Sequence, residues 1–145
     1  MSVIAVAEYP EMSPQMAEKS PPLQVLVVDD ESLIRWSLVE ALGDRGHRVD
    51  EAGDGASAVN LLAGGRRFDV VVLDYRLPDS NDLQLLEMIR NLSPDSTVIM
   101  MTAFGTPEMV EGALRLGAYR VVPKPFDLHD MARLVAEAPR PARGI

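Results

Sequence analysis

Val70-Val71-Val72-Leu73-Asp74 is the stretch on which the fold of this chain turns. Four apolar residues in a row lack the alternation of a half-exposed strand. They read instead as a strand buried on both faces. The run then stops at a carboxylate. The same pattern appears in Val25-Leu26-Val27-Val28 before Asp29 and Asp30, and in Val98-Ile99-Met100-Met101 before Thr102. It returns in the short Val121-Val122 ahead of Lys124. A weaker strand over 47–52, alternating His47, Arg48, Val49 and Asp50, fits a sheet edge.

Helix-period stretches fill the intervals. The first, over 32–45, puts Ile34, Leu38, Ala41 and Leu42 on one face. The second, 55–63, carries Ala58, Leu61 and Leu62 behind Asp54 as N-cap. The third, 82–91, carries Leu83, Leu86 and Ile89. The fourth, 107–116, opens with Pro107 at its first position and stops before Gly117. The fifth covers 128–137. Five strands alternating with five helices predict an α/β fold with a parallel, doubly wound sheet. Ligands bind such sheets outside the carboxyl ends of the strands, so the chemistry is expected just after each apolar run.

Composition narrows the field. The chain has 145 residues, a length that favours one domain. The body is read as 23–138. Residues 1–22, with Pro10, Pro14, Pro21 and Pro22, read as a flexible arm, and 139–145 as a tail. There is no Cys, which removes disulfide frameworks, thiolate zinc sites and cysteine nucleophiles and suits a reducing cytoplasm. Lys and Arg number 14 against 22 Asp and Glu, a net charge of −8 that argues against a direct nucleic-acid surface. No apolar run approaches the roughly 18 residues of a membrane span. Val3 to Ala7 is apolar but has no basic flank, so it does not read as a signal peptide.

The strand ends collect Asp29, Asp30, Asp74, Thr102 and Lys124. Each alone has an ordinary explanation: Asp30 or Thr102 as a helix cap, Lys124 as a solvated surface residue. Together, on one edge, they form an uncommon set. Three close carboxylates repel one another unless a cation intervenes. Mg²⁺ takes one or two carboxylates, several waters and a substrate phosphate. A free oxygen of Asp74 could then attack phosphorus to give an aspartyl phosphate. Mg²⁺, Lys124 and the Thr102 hydroxyl would meet the charge on the transferring group.

These residues resemble the receiver domain of two-component response regulators over 23–138. The likeness rests on Val27-Val28-Asp29-Asp30-Glu31, Val72-Leu73-Asp74-Tyr75-Arg76-Leu77-Pro78, Met101-Thr102-Ala103-Phe104-Gly105-Thr106 and Pro123-Lys124-Pro125-Phe126-Asp127. Ile34-Arg35-Trp36 and Thr102-Ala103-Phe104-Gly105 look most like the nitrogen-regulator branch. The resemblance implies a flavodoxin-like sheet of strand order 2-1-3-4-5. It implies that Asp74 accepts a phosphoryl group from a histidine kinase or phosphotransfer protein. It implies Mg²⁺ held by Asp30, Asp74 and the backbone carbonyl of Arg76, with Asp29 acting through a bound water. Lys124 would contact the phosphoryl group, Thr102 would swing in to bond it, and the Lys124-Pro125 bond would be cis.

Three departures from the family pattern stand out. An aromatic residue often lies three positions before the lysine, where this chain has Val121. Tyr119 is expected on the same face but roughly 6–7 Å away along the strand. Asn81-Asp82 replaces the usual Asp-Gly, removing a glycine's backbone freedom. Arg76 and Phe104 occupy positions that tune phosphoryl lifetime in the family; bulky Phe104 is expected to obstruct an attacking water and slow self-hydrolysis. Trp36 reads as a half-buried packing residue or as part of a kinase-docking face. Met109, Val110 and Leu114, with Tyr119, form a candidate switch face. Gly112 marks either tight packing or a helix built to shift. His47 and His129 show no ligand spacing.

The function expected is a phosphorylation-controlled switch that catalyses only its own phosphorylation and dephosphorylation. Its output would be contact with a downstream protein or with its own output domain, and a homodimer through the fourth helix and fifth strand is a further expectation. The alternative is a receiver-type interaction module that works without phosphorylation. An Mg²⁺-dependent phosphatase would want an acid two residues after the nucleophile, where Arg76 stands. A flavin site would need a phosphate-cradling loop where Asp29 and Asp30 would repel phosphate.

Overall fold

The computed structural model describes residues 21–139, so most of the arm and tail expected at 1–22 and 139–145 lies outside the described residues. The strands are β1 (Gln24–Val28), β2 (Arg48–Ala52), β3 (Val70–Asp74), β4 (Thr97–Thr102) and β5 (Arg120–Pro123). The helices are α1 (Ser32–Asp44), α2 (Gly55–Ala63), α3 (Gln84–Leu92), α4 (Pro107–Arg115) and α5 (Leu128–Glu137). The four strand pairings of the sheet are parallel and its order is β2-β1-β3-β4-β5, as the resemblance implied.

The apolar runs bury both faces. Leu26, Val28, Val71, Leu73, Val98 and Met100 point into one core layer. It is closed by Ala58 and Leu62 of α2, Leu86 and Ile89 of α3, and Met109 and Ala113 of α4. Val25, Val27, Val70, Val72, Ile99 and Met101 point into the other, closed by Leu38 and Leu42 of α1 and Met131 and Val135 of α5. Alternation along each strand therefore selects a layer, not core against water. Each such Val or Leu contributes about 1.5–3 kcal/mol by leaving water.

Helix starts follow local chemistry. Asp54 accepts from Ser57 N at 2.7 Å, and Thr106 accepts from Met109 N at 3.1 Å ahead of Pro107. Asp127 takes His129 N and Asp130 N. Helix α2 has a second, distant cap: Asp79 accepts from Gly55 N at 2.8 Å and Ala56 N at 3.0 Å. Helix α1 is different. Its N-cap position is Glu31 and no side chain caps it, so Asp30 is not spent as a cap.

Several expectations need correction. Helix α3 begins at Gln84, not 82, because the Asp82 carboxylate accepts from Gln84 N at 2.9 Å and holds the chain in a turn. No described non-glycine residue has a positive φ, so Asn81-Asp82 costs no glycine freedom. Tyr119 precedes β5 and packs with Val122 against the α1/α5 layer, whereas Val121 packs against the α2/α3/α4 layer. Strand alternation does not extend across the turn into β5, so the two do not share a face. Trp36 is not a packing residue: it is 59% exposed on α1, beside Leu33 at 72%. Of the two readings of Gly112, close packing is the one supported, since a Cβ there would meet Leu83 Cδ1 at 2.9 Å.

The amino ends of the strands carry their own buried polar groups. His47 Nδ1 accepts from Leu23 N at 3.1 Å, and Asp69 accepts from Gln24 N at 2.8 Å. Ser96 donates to Phe68 O at 2.6 Å, and Arg90 donates to Ser96 O at 2.7 Å.

Candidate functional site

Chain order reverses between β1 and β3, and their adjacent carboxyl ends form the switch point where doubly wound sheets bind ligands. Val28 is abreast of Leu73 there, so Asp29 and Asp74 emerge side by side. The β1–α1 turn is held from within: Asp29 Oδ1 accepts from Glu31 N at 2.8 Å, and Asp29 N donates to Ala52 O at 3.1 Å. Across the crevice, Thr102 is buried at the end of β4, and its carbonyl accepts from Lys124 N at 2.8 Å. The Lys124-Pro125 bond is cis.

Lys124 Nζ reaches back over the sheet edge. It donates to Asp29 Oδ2 at 2.9 Å, Asp74 Oδ2 at 3.0 Å and Glu31 Oε1 at 3.1 Å. Asp30 lines the same crevice, of about 230 Å³, with its side chain exposed. Arg76 and Phe104 line it too, and Arg76 N lies 3.4 Å from Asp74 Oδ1. The Thr102 hydroxyl accepts from Phe104 N at 3.2 Å. Phe104 itself is 76% exposed at the crevice lip.

The structure thus brings all the expected residues to one edge and adds Glu31, which the strand-end reading had passed over. Its 58% exposed carboxylate is two residues beyond Asp29 and inside the quoted motif. No periodicity marks it, because its contact depends on where Lys124 arrives from a strand 93 residues later.

Electrostatics at this edge are strained. Burial, and then the neighbouring Asp29 charge, push the Asp74 carboxyl up to about 6, against the opposing pull of Lys124. Burial also works against the Lys124 ammonium, but its bonds to Asp29, Asp74 and Glu31 outweigh that and hold it above its ordinary value. One oxygen from each of Asp29, Glu31 and Asp74 lies within 4.8 Å of the others. Hard oxygen donors, crowded like charges and a raised carboxyl make this a set that a small divalent cation would relieve. The residues fit Mg²⁺.

A doubly wound sheet whose switch point holds an acidic crevice closed by one lysine defines a flavodoxin-like domain of the receiver class. A family model of the response regulator receiver domain matches residues 25–136, and the chain belongs to that family. NtrC of Azospirillum brasilense, a DNA-binding transcriptional regulator, is 35% identical over 114 residues, covering 79% of this chain and 24% of NtrC. The likeness to nitrogen regulators seen in Ile34-Arg35-Trp36 therefore holds. The chain spans about a quarter of the length of such relatives. Among solved structures, the beryllofluoride-activated NtrC4 receiver domain dimer superimposes with a TM-score of 0.72 at 34% identity, covering 77% of this chain and 92% of that one. The CheX-CheY-BeF3-Mg²⁺ complex of Borrelia burgdorferi gives a TM-score of 0.72 at 29% identity, covering 79% and 87%. Among the described residues no helix is long and apolar enough to cross a membrane.

Proposed function

We propose that this receiver takes a phosphoryl group onto Asp74 from a phosphohistidine of a histidine kinase or phosphotransfer protein. The Asp74 oxygen forms the new bond to phosphorus as the phosphorus–nitrogen bond breaks; the electron pair stays on the imidazole, which takes its proton from water. The observation that carries this reading is Lys124 Nζ joining Asp29 and Asp74 at 2.9 and 3.0 Å in a crevice at the switch point. A pKa of about 6 leaves Asp74 largely ionised at neutral pH, as a nucleophile must be.

Asp29, Asp30, Asp74 and the Arg76 backbone carbonyl would hold Mg²⁺, whose charge would offset that of the phosphoryl oxygens. Lys124 contacts the phosphoryl group, and Thr102 turns its hydroxyl from Phe104 N towards it. The chain acts only on itself, in the cytoplasm, and changes a protein-contact surface. Kinase docking falls on the exposed Leu33 and Trp36 of α1. Output passes to a downstream protein or an output domain of the same chain, and a homodimer forms through α4 and β5. A second reading, a module that works without phosphorylation, draws on Val121 and on Tyr119 packing against the other layer.

Intact-protein mass after incubation with acetyl phosphate and Mg²⁺ separates the two. The phosphoacceptor reading expects one added phosphoryl group, lost in Asp74→Ala and without Mg²⁺. No addition from acetyl phosphate or from a phosphorylated histidine donor turns the reading to the second.

A further inference from the structure

The acidic turn at the end of β1 is gripped from α1. Arg35 Nη1 donates to the backbone carbonyl of Asp29 at 2.6 Å, and Arg35 Nε donates to Glu51 Oε1 on β2 at 2.8 Å. The Arg35 side chain is 22% exposed, and its bond to the Asp29 carbonyl is partly buried. Gly53 lies beside the guanidinium, where a Cβ would make ordinary contact with Nη1 at 3.4 Å. Asp29 is thus fixed at four points: its N–H on Ala52, its carbonyl on Arg35, and its carboxylate on Glu31 N and Lys124. Three of those anchors constrain the backbone of the turn that carries Asp29, Asp30 and Glu31. Arg35 ties that turn simultaneously to a helix and to the sheet-edge strand. A planar fork of fixed N–H directions can hold a carbonyl and a carboxylate at once; an ammonium on a flexible stem does so without fixing either direction.

We propose that Arg35 is a positioning residue for the divalent-cation site. It acts through the Asp29 carbonyl, holding the β1–α1 turn so that its carboxylates face Asp74 in advance of the ion. The inference deepens the phosphoacceptor reading and rests on it. Groups that orient metal ligands from outside the coordination shell are worth about 10–100-fold in metal affinity.

The sign of the effect separates positioning from plain electrostatics. Arg35 is a cation beside a cation site. If its charge alone mattered, removing it would tighten metal binding. If it positions the turn, removing it weakens binding. The experiment is titration of the metal-free chain with Mn²⁺, with free Mn²⁺ counted by its paramagnetic resonance signal. The set is wild type, Arg35→Gln, Arg35→Lys, Glu51→Gln and, as a distant control, Arg66→Gln, with circular dichroism melts of each. The expected result is about tenfold weaker Mn²⁺ binding for Arg35→Gln. Arg35→Lys keeps the charge but loses the fork, and is expected to weaken binding severalfold. Glu51→Gln is expected to lie nearer wild type, and Arg66→Gln to match it. Phosphorylation of Arg35→Gln by acetyl phosphate should recover towards the wild-type rate at saturating Mn²⁺. Unchanged or tighter binding in Arg35→Gln overturns the proposal. If Arg35→Gln does not fold, wild-type affinity in a folded Arg35→Lys does so. Wild-type protein that binds no Mn²⁺ sinks the phosphoacceptor reading together with this one, whereas tight wild-type binding indifferent to Arg35 sinks this one alone.

Discussion

The two edges of the sheet bury polar groups in different ways. At the amino edge, His47, Asp69 and Ser96 each meet a backbone group of another segment. A charge or dipole faces its complement, and the result is a fastened structure. At the carboxyl edge, Asp29, Glu31 and Asp74 converge on a single lysine, leaving negative charges facing each other. Burial of polar groups is common to both edges and marks neither as functional. The concentration of one sign of charge is what distinguishes them, and it is a cost that folding alone has no reason to retain.

Mutation should expose this contrast, starting with its largest consequence. Asp74→Asn is expected to abolish phosphoryl uptake from acetyl phosphate, read by intact mass, while the domain stays folded. Ser96→Ala should do the reverse. Losing its bond to Phe68 O leaves a buried carbonyl unmet, costing about 1–3 kcal/mol in urea unfolding, with phosphorylation rate unchanged. If Ser96→Ala slowed phosphorylation as Asp74→Asn does, the division between edges would be wrong.

The same Asp74→Asn protein is expected to be more stable than wild type at pH 7.5 in EDTA. The Asp74 carboxyl is raised from 3.8 to about 6, first by burial and then by Asp29. For this buried carboxyl that rise corresponds to roughly 3 kcal/mol. The folded state binds this proton more tightly than the unfolded chain does. The stability tied to it is therefore complete below pH 3.8 and lost as pH rises through about 6. The advantage of Asp74→Asn should accordingly vanish towards pH 4, and Mg²⁺ should shrink it at pH 7.5. A variant less stable than wild type at pH 7.5 in EDTA would contradict the strain.

Smaller effects sharpen the picture at the crevice lip and behind it. Phe104→Ala is expected to hasten loss of the phosphoryl group severalfold, about 1 kcal/mol in barrier, by opening a path for water. A phosphoryl half-life of seconds in wild type would remove the basis for this. Asp79→Asn is expected to lose about 0.5–1 kcal/mol at pH 7, as a carboxylate at the start of α2 outbids an amide. Bonds from Gly55 and Ala56 hold its carboxyl below the usual range. Its contribution is present above the unfolded value and disappears as pH falls through the depressed one, so the two proteins should converge in acid.

Much of the site was legible because a parallel sheet converts sequence position into place. Every run that ends as a strand delivers its next residue to the same edge, which is why Asp29, Asp74, Thr102 and Lys124 could be placed together from spacing alone. Glu31 and Arg35 were not legible in the same way. Their partners, Lys124, the Asp29 carbonyl and Glu51, come from other segments, and nothing local distinguishes Arg35 from any charged residue on an amphipathic helix. The sequence leaves Trp36 between packing and docking for a related reason: large aromatic residues are usually covered, and its exposure depends on the absence of a neighbour among the described elements. Strand alternation predicts one face for Tyr119 and Val121, but it holds only from the strand's first residue, Arg120, onwards.

The sequence by itself determined the sheet, its alternation with helices and the edge on which chemistry sits, because those follow from runs and periods a few residues long. Only the tertiary structure decided which carboxylates share Lys124, which face Tyr119 takes, and that Arg35 holds the acidic turn. Those outcomes depend on approaches between segments far apart in the chain, where ångströms rather than residue types set the interaction.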